Sequence, residues 1–125
     1  MGFHIKITDG MPIVETSYLG NLSAAELAEA IAGSLALAKK HRLHHFLGDC
    51  QELLGGHSVL DLFSKLEQII QEADFLSVKE ALILPTCPEA AENVRFWETA
   101  CRNRGMDVQT FVDRESAVKW LLQES

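Results

Sequence analysis

The sequence predicts a single α/β domain with a mixed sheet and packed helices, in the order β-β-α-β-α-β-α-β-α. Its hydrophobic period changes repeatedly between two and about 3.6 residues along the 125-residue chain. The chain opens with two alternating segments around a turn and closes with a short edge-like strand that leads directly into an amphipathic helix, over 106–122. Strand–helix–strand units place neighbouring strands parallel, whereas the opening hairpin adds an antiparallel pair.

The first elements are predicted from alternation and capping residues. Apolar residues alternate with polar ones over 3–7, a turn lies around Asp9-Gly10-Met11, and an extended segment resumes over 12–18, which is typical of a β-hairpin. Ser23 and Glu26 then form a capping box. The helix that they open places Leu27, Ile31, Leu35 and Ala38 on one face, and it ends in the cations of 39–41.

The middle of the chain predicts a strand, a glycine-containing loop and a second helix. The strand covers 43–49 and the loop covers 51–56. The helix begins near Ser58, with Asp61 three residues later. It directs a set of apolar side chains to the core, namely Val59, Leu62, Phe63, Leu66, Ile69 and Ile70.

The last third predicts two more strands and two more helices. A strand over 78–84 stops at Pro85, and Thr86 and Glu89 read as a second capping box for a helix that runs to Gly105. Asp113 has the acceptor side chain that the N-cap of the closing helix needs. The apolar surface of that helix comes from Val118, Trp120, Leu121 and Leu122.

Composition excludes several functional classes. The net charge of −7 opposes attraction to nucleic acid and to anionic lipid, and no stretch approaches the about 20 apolar residues of a membrane span. Three cysteines without a Cys-x-x-Cys spacing indicate reduced thiols, so we expect a cytoplasmic protein. The Gly-rich phosphate loops of dinucleotide-binding and P-loop proteins are absent from the sequence.

The C-terminal third resembles the STAS superfamily, in particular its SpoIIAA-like branch of small bacterial proteins. The similarity is in the strand 78–84, the helix with Phe96-Trp97-Glu98, the turn Asn103-Arg-Gly105, the strand 108–113 and the helix with Ala117-Val-Lys-Trp-Leu121. The resemblance implies a regulatory protein-interaction module that forms a homodimer, binds a protein partner, needs no cofactor and has no catalytic activity. The fold that it implies is a STAS-like domain over 1–125.

The resemblance also implies a site in the middle of the chain. In antagonist-type members a strand ends in an aspartate, and a serine at the start of the next helix is phosphorylated by a partner kinase; Asp49 and Ser58 occupy these places, with His57 before the serine. We therefore expect the recognition face to contain Asp49, Gly55, Gly56, His57 and Ser58, with Ser58 as the candidate phosphorylation site. The alternative for Ser58 is that it only caps the second helix.

Further candidates come from the residues themselves. Phe96 and Trp97 are neighbours on a helix, which predicts either an exposed aromatic at a protein interface or two rings at the edge of one core. Binding of a small apolar or anionic ligand is the alternative function, and an apolar pocket between helices would favour it. A thiol or hydrolytic enzyme built on Cys87 or Asp49 ranks last. His44 and His45 point to opposite faces of a strand, so we expect no metal site there.

Overall fold

The structure is a computed structural model that describes residues 2–55, 61, 64, 67 and 78–123. In order along the chain, the elements are β1 (Phe3–Ile7), β2 (Ile13–Asn21), α1 (Ala24–His41), β3 (His45–Gly55), β4 (Lys79–Ile83), α2 (Pro88–Asn103), β5 (Asp107–Phe111) and α3 (Arg114–Leu122). The predicted second helix lies outside the described residues, apart from Asp61, Ser64 and Glu67, which are helical and exposed.

The five strands of this part of the chain form one sheet in the order β1-β2-β3-β4-β5. β1 and β2 are antiparallel, and β2, β3, β4 and β5 are parallel to one another. The predicted mixed sheet is therefore confirmed. The hairpin is confirmed as well, because β1 and β2 pair with each other on either side of the turn. Gly10 at this turn has a φ of 72°, a backbone conformation that glycine adopts without the steric cost of a side chain.

Side chains alternate between the two faces of the sheet, and each face carries its own core. The larger core lies between the sheet and the helices α1 and α2, and it includes Tyr18, Leu27, Leu82, Val94 and Val108. The opposite face packs against α3 through Ile13, Leu47, Ile83, Ala117 and Leu121. The closing helix is thus on the other side of the sheet from α1 and α2.

Two of the three predicted side-chain caps of helices are present in the structure, and one is not. Ser23 and Glu26 form the predicted capping box of α1, and the Asp113 carboxylate accepts the Ser116 backbone N–H at 2.7 Å at the start of α3. The predicted capping box of α2 is wrong. Cys87 is the N-cap residue and makes no side-chain cap bond, because the Thr86 hydroxyl donates instead to the backbone carbonyl of Gln51 at 3.3 Å.

The predicted end of β3 at Asp49, with a loop over 51–56, is also wrong. β3 continues to Gly55 because Glu52, Leu53 and Gly55 pair with the last residues of β2, which itself runs past its predicted end to Asn21. The register between the two strands shifts twice in this stretch. As residue types Gly55 and Gly56 favour a loop, whereas the extension of β3 depends on its pairing with β2, which its own sequence does not show.

The closing helix departs from its prediction at one position. Leu121 is fully buried and Val118 and Trp120 are partly buried against it, whereas Leu122 is exposed at the last turn. In the described residues, no helix is long and apolar enough to cross a membrane.

Candidate functional site

The predicted recognition segment begins inside the sheet. Asp49 lies in β3, on the face of the sheet that carries α3, and its carboxylate accepts the backbone N–H of Gln51 at 3.1 Å. Gly55 ends the strand with a φ of 118°, which favours glycine strongly. Gly56, His57 and Ser58 lie outside the described residues. Recognition through this segment and phosphorylation of Ser58 therefore stay predictions.

The outer half of β3 has a different neighbour from the inner half. β4 pairs with β3 from His45 as far as Asp49. Beyond that point the loop before α2 approaches instead, since Thr86 donates its backbone N–H and its hydroxyl to the Gln51 carbonyl, each at 3.3 Å. The side chain of Leu54 remains 53% exposed on this part of the strand. An apolar side chain is thus presented to solvent next to the predicted recognition residues.

The two neighbouring aromatic residues of α2 have different surroundings. Phe96 is 51% exposed, whereas Trp97 is half-buried and packs against the larger core. The indole N–H of Trp97 donates to the carboxylate of Glu80 at 3.4 Å. The two rings therefore do not share one environment, and the role of Phe96 and Trp97 as an interface stays a prediction.

A cavity of about 50 Å³, partly open to solvent, lies between the sheet and the helices α1 and α2. Its walls are mostly apolar, and its polar groups are few. The described residues that line it are Tyr18, Leu27, Ile31, Cys50, Leu53, Glu80, Leu82, Asn93, Val94 and Trp97. Concave, mainly apolar pockets with a few polar groups are the usual form of small-molecule sites.

Glu80 is the acidic group of this cavity. Its side chain comes from the central strand β4, on the same face as Leu82, and its one hydrogen bond within the described part of the chain is the long one from Trp97. Burial raises the pKa of Glu80 from 4.5 to about 7, and the hydrogen bond from Trp97 opposes this only in part. A carboxyl group with such a pKa exchanges its proton near neutral pH.

The other titratable groups around Glu80 are neutral at that pH. Burial, with a smaller effect of nearby negative charge, raises the pKa of Tyr18 well above its usual value and also raises the pKa of Cys50 and Cys101. These groups face Glu80 from β2, β3 and α2, while α1 contributes the apolar Leu27 and Ile31. Glu80 is therefore the described cavity group that changes charge near pH 7.

Another carboxylate, Glu15, lies on the opposite face of the sheet, and this one is buried and paired. Glu15 on β2 accepts two hydrogen bonds from the guanidinium of Arg114, at 2.6 and 2.8 Å, and a third from the hydroxyl of Thr8 at 2.9 Å. The hydrogen bonds from Arg114 are the largest cause that holds the pKa of Glu15 below its usual value. The pair of Glu15 and Arg114 therefore connects β2 with the start of α3.

Neither the raised pKa of Glu80 nor the pairing of Glu15 with Arg114 was predicted from the sequence. Glu80 does carry a signal, because it alternates with Leu82 in a central parallel strand whose faces are both covered, where a charge is unusual. Glu15 interrupts an otherwise apolar start of β2 in the same way. The partners of the two groups are far away in sequence, so periodicity alone could not pair them.

The described side chains offer no group of three or more His, Cys, Asp or Glu residues that could hold a metal ion.

Cys87, which we considered as a nucleophile, lies at the start of α2 with its thiol 4.0 Å from the backbone carbonyl of Leu54.

The strand order, the antiparallel opening hairpin and the closing helix on the opposite face define a SpoIIAA-like α/β domain. An uncharacterized protein of the DUF3478 family from Shewanella loihica PV-4, which has a SpoIIAA-like fold, matches with a TM-score of 0.62 and 20% identity over 96% of this chain and 93% of its own. The anti-sigma factor antagonist SpoIIAA in its unphosphorylated form matches with a TM-score of 0.58 and 13% identity over 94% and 96%.

These similarities confirm the SpoIIAA-like fold that the sequence predicts. No protein-family model matches the sequence, and no curated protein matches it.

Proposed function

We propose that this protein is a non-catalytic regulatory module that binds a protein partner through the outer part of β3 and the residues that follow it. The proposal is supported by the fold, which it shares with an anti-sigma factor antagonist. The observation that carries it in this chain is the exposed Leu54, on a strand segment that β4 does not cover. A partner that covers this side chain would remove its apolar surface from water, which favours association.

The partner can be sought by affinity purification from the organism that encodes the protein, with two matched variants. Leu54→Glu places a charge on the proposed surface, and Val112→Glu places the same charge on an apolar residue that is 79% exposed after β5. We expect a protein retained by the wild type and by Val112→Glu to be lost with Leu54→Glu. Equal retention by all three forms would contradict the proposed surface.

Phosphorylation of Ser58 is the proposed control of this interaction. A phosphate would add about −1.5 to −2 charge to the segment that follows β3 in the sequence, which would disfavour a partner with acidic groups. The mass of the protein from its native source, before and after phosphatase treatment, tests the modification. An unmodified Ser58 under all growth conditions would leave only the capping role.

Self-association is proposed through the helical surface around Phe96 rather than through the sheet edge. The edge strand β5 is partly occupied, because Glu98 accepts the backbone N–H of Thr110 at 2.8 Å. Native mass spectrometry of the wild type, Phe96→Ser and the control Val112→Ser tests this. We expect a dimer that Phe96→Ser alone converts to a monomer, and a dimer in all three forms would move the contact elsewhere.

Binding of a small molecule is a second candidate function, and the cavity between the sheet, α1 and α2 favours it. An apolar pocket between helices is the feature that separates this function from that of a module with a filled core. Ligand binding would involve the cavity-lining Leu53 and partner binding the exposed Leu54, so variants of different side chains test the two functions separately.

A further inference from the structure

The cavity contains a carboxylate, that of Glu80, among mainly apolar walls. Glu80 is half-buried at the wall of the cavity, and within the described residues its carboxylate accepts one long hydrogen bond, although a carboxylate has about four acceptor positions. Water fills the remaining acceptor positions of a half-buried carboxylate beside an open cavity, unless a ligand with hydrogen-bond donors displaces it. The carboxylate of Glu80 can therefore accept hydrogen bonds from a donor group that enters the cavity.

The side chains around Glu80 indicate which kind of hydrogen-bond donor the cavity can bind. Tyr18 and Trp97 both line the cavity, and aromatic faces attract cations through their ring electrons. The lining residues in the described part of the chain include no lysine and no arginine. A carboxylate with two aromatic neighbours and no competing cation provides the groups that a protonated amine needs. An anionic ligand would instead meet an uncompensated carboxylate.

The size of the cavity limits the ligand. A volume of about 50 Å³ holds only a few non-hydrogen atoms, and the cavity is partly open to solvent. A compact ammonium group with a short apolar chain fits such a space, with the chain against Leu27, Ile31 and Val94. A longer molecule would place its head in the cavity and the rest of its chain outside.

We propose that the cavity is a binding site for a small organic ammonium ion, with Glu80 as its counter-ion and Tyr18 and Trp97 as its aromatic neighbours. This inference rests on the second candidate function and names its ligand class. The ammonium N–H groups would donate to the free positions of the Glu80 carboxylate.

The proposal predicts a specific pH dependence. An alkylammonium ion stays charged up to about pH 10, so its affinity follows the ionisation of Glu80. Because burial raises the pKa of Glu80 to about 7, its charged fraction grows from about one tenth at pH 6 to about nine tenths at pH 8. Tyr18, Cys50 and Cys101 also face Glu80, and their raised pKa values keep them uncharged over this range. We therefore expect affinity to rise about tenfold from pH 6 to pH 8.

The test compares three probes of the same length, namely propylammonium, propanol and propionate, by ¹H–¹⁵N NMR. The chain has two tryptophans, so the indole N–H resonance of Trp97 is identified with a Trp120→Phe variant. Propylammonium is expected to shift this resonance with a tenfold tighter Kd at pH 8 than at pH 6, propanol to bind weakly without pH dependence, and propionate not to bind at pH 8.

Two matched variants complete the design. Glu80→Gln keeps the shape and an acceptor but removes the charge, so it should weaken propylammonium binding at pH 8 at least tenfold and abolish the pH dependence. Glu92→Gln makes the same chemical change at an exposed position of α2 and should leave binding unchanged. The amide spectrum of each variant reports directly whether its fold is retained.

The possible results test the ligand class and the existence of a ligand site separately. If propanol binds as tightly as propylammonium, or if Glu80→Gln keeps the pH dependence, the ammonium assignment is wrong while ligand binding in the cavity stands. If no probe shifts the Trp97 resonance up to high millimolar concentration, the cavity is not a ligand site and both ideas fall. The proposed partner surface on β3 is unaffected by either result.

Discussion

Removal of the Arg114 guanidinium should destabilise the protein, and by an amount that depends on pH. The Glu15 side chain is 5% exposed and that of Arg114 is 43% exposed, so Arg114→Ala leaves a buried carboxylate whose one remaining hydrogen-bond donor in the described part of the chain is the hydroxyl of Thr8. Hydrogen bonds to charged groups contribute about 1.5–3 kcal/mol each, and the exposure of Arg114 reduces this. We expect a loss of about 2–3 kcal/mol in the free energy of unfolding at pH 7 and a fall in Tm of roughly 8–12 °C.

The sign of the pH dependence follows from the carboxylate. In the wild type the pKa of Glu15 is lowered, so the pair contributes stability above the ordinary pKa of 4.5, and this contribution is lost as pH falls through the lowered folded-state value. In Arg114→Ala the unpaired carboxylate gains a proton more readily, which relieves its cost. The difference between the two proteins should therefore shrink between pH 7 and pH 4.

Urea unfolding at both pH values measures these differences, and Arg104→Ala provides the control. Arg104 has the same 43% side-chain exposure and pairs with Glu67 at 2.7 Å, but Glu67 is 51% exposed. Exposed pairs contribute about 0–1 kcal/mol, so this variant should lose less than 1 kcal/mol. Equal losses in the two variants, or a loss in Arg114→Ala that is the same at pH 4 and pH 7, would refute the reasoning.

Three smaller effects follow from contacts within single elements. Ser23→Ala removes the side-chain cap of α1 and should cost about 1 kcal/mol in urea unfolding. Glu98→Ala frees the backbone N–H of Thr110 on the edge strand, so hydrogen exchange at that amide should accelerate while the central strands stay protected. Lys79→Met removes the ammonium that lies 4.3 Å from the Trp120 ring centroid and donates to the Trp120 carbonyl at 2.6 Å, and a loss of about 1 kcal/mol is expected by thermal unfolding.

The sequence predicted the features whose causes are local. The caps at Ser23 and Asp113 involve acceptors only three residues from their donors, so the residue types in order are enough. The α2 cap failed for the opposite reason, since the Thr86 hydroxyl bonds to Gln51, 35 residues away. The extension of β3 likewise depends on its shifted register with β2. The cavity could not be read from the chain because α1, α2 and three strands build it together.

Two carboxylates of the sheet, the buried Glu15 and the half-buried Glu80, allow a last comparison. They lie on opposite faces, and their pKa values move in opposite directions because, within the described residues, Glu15 has a guanidinium partner and Glu80 has none. A pKa raised from 4.5 to about 7 means that ionised Glu80 destabilises the folded state by about 3 kcal/mol above pH 7. The protonated form avoids this cost, so its stability is fully present below pH 4.5 and is lost as pH rises through about 7.

Glu80→Gln should therefore be more stable than the wild type at pH 8, by about 2–3 kcal/mol, and about equal to it at pH 4. Glu15→Gln should be less stable than the wild type at pH 8, because it weakens the bonds to Arg114. Urea unfolding of both variants at the two pH values measures this contrast. A Glu80→Gln variant without a gain at pH 8 would mean that the carboxylate is already satisfied, and that would remove the physical basis for an ammonium ligand. A gain would show a group that lowers stability in the free protein, which is typical of residues kept for binding.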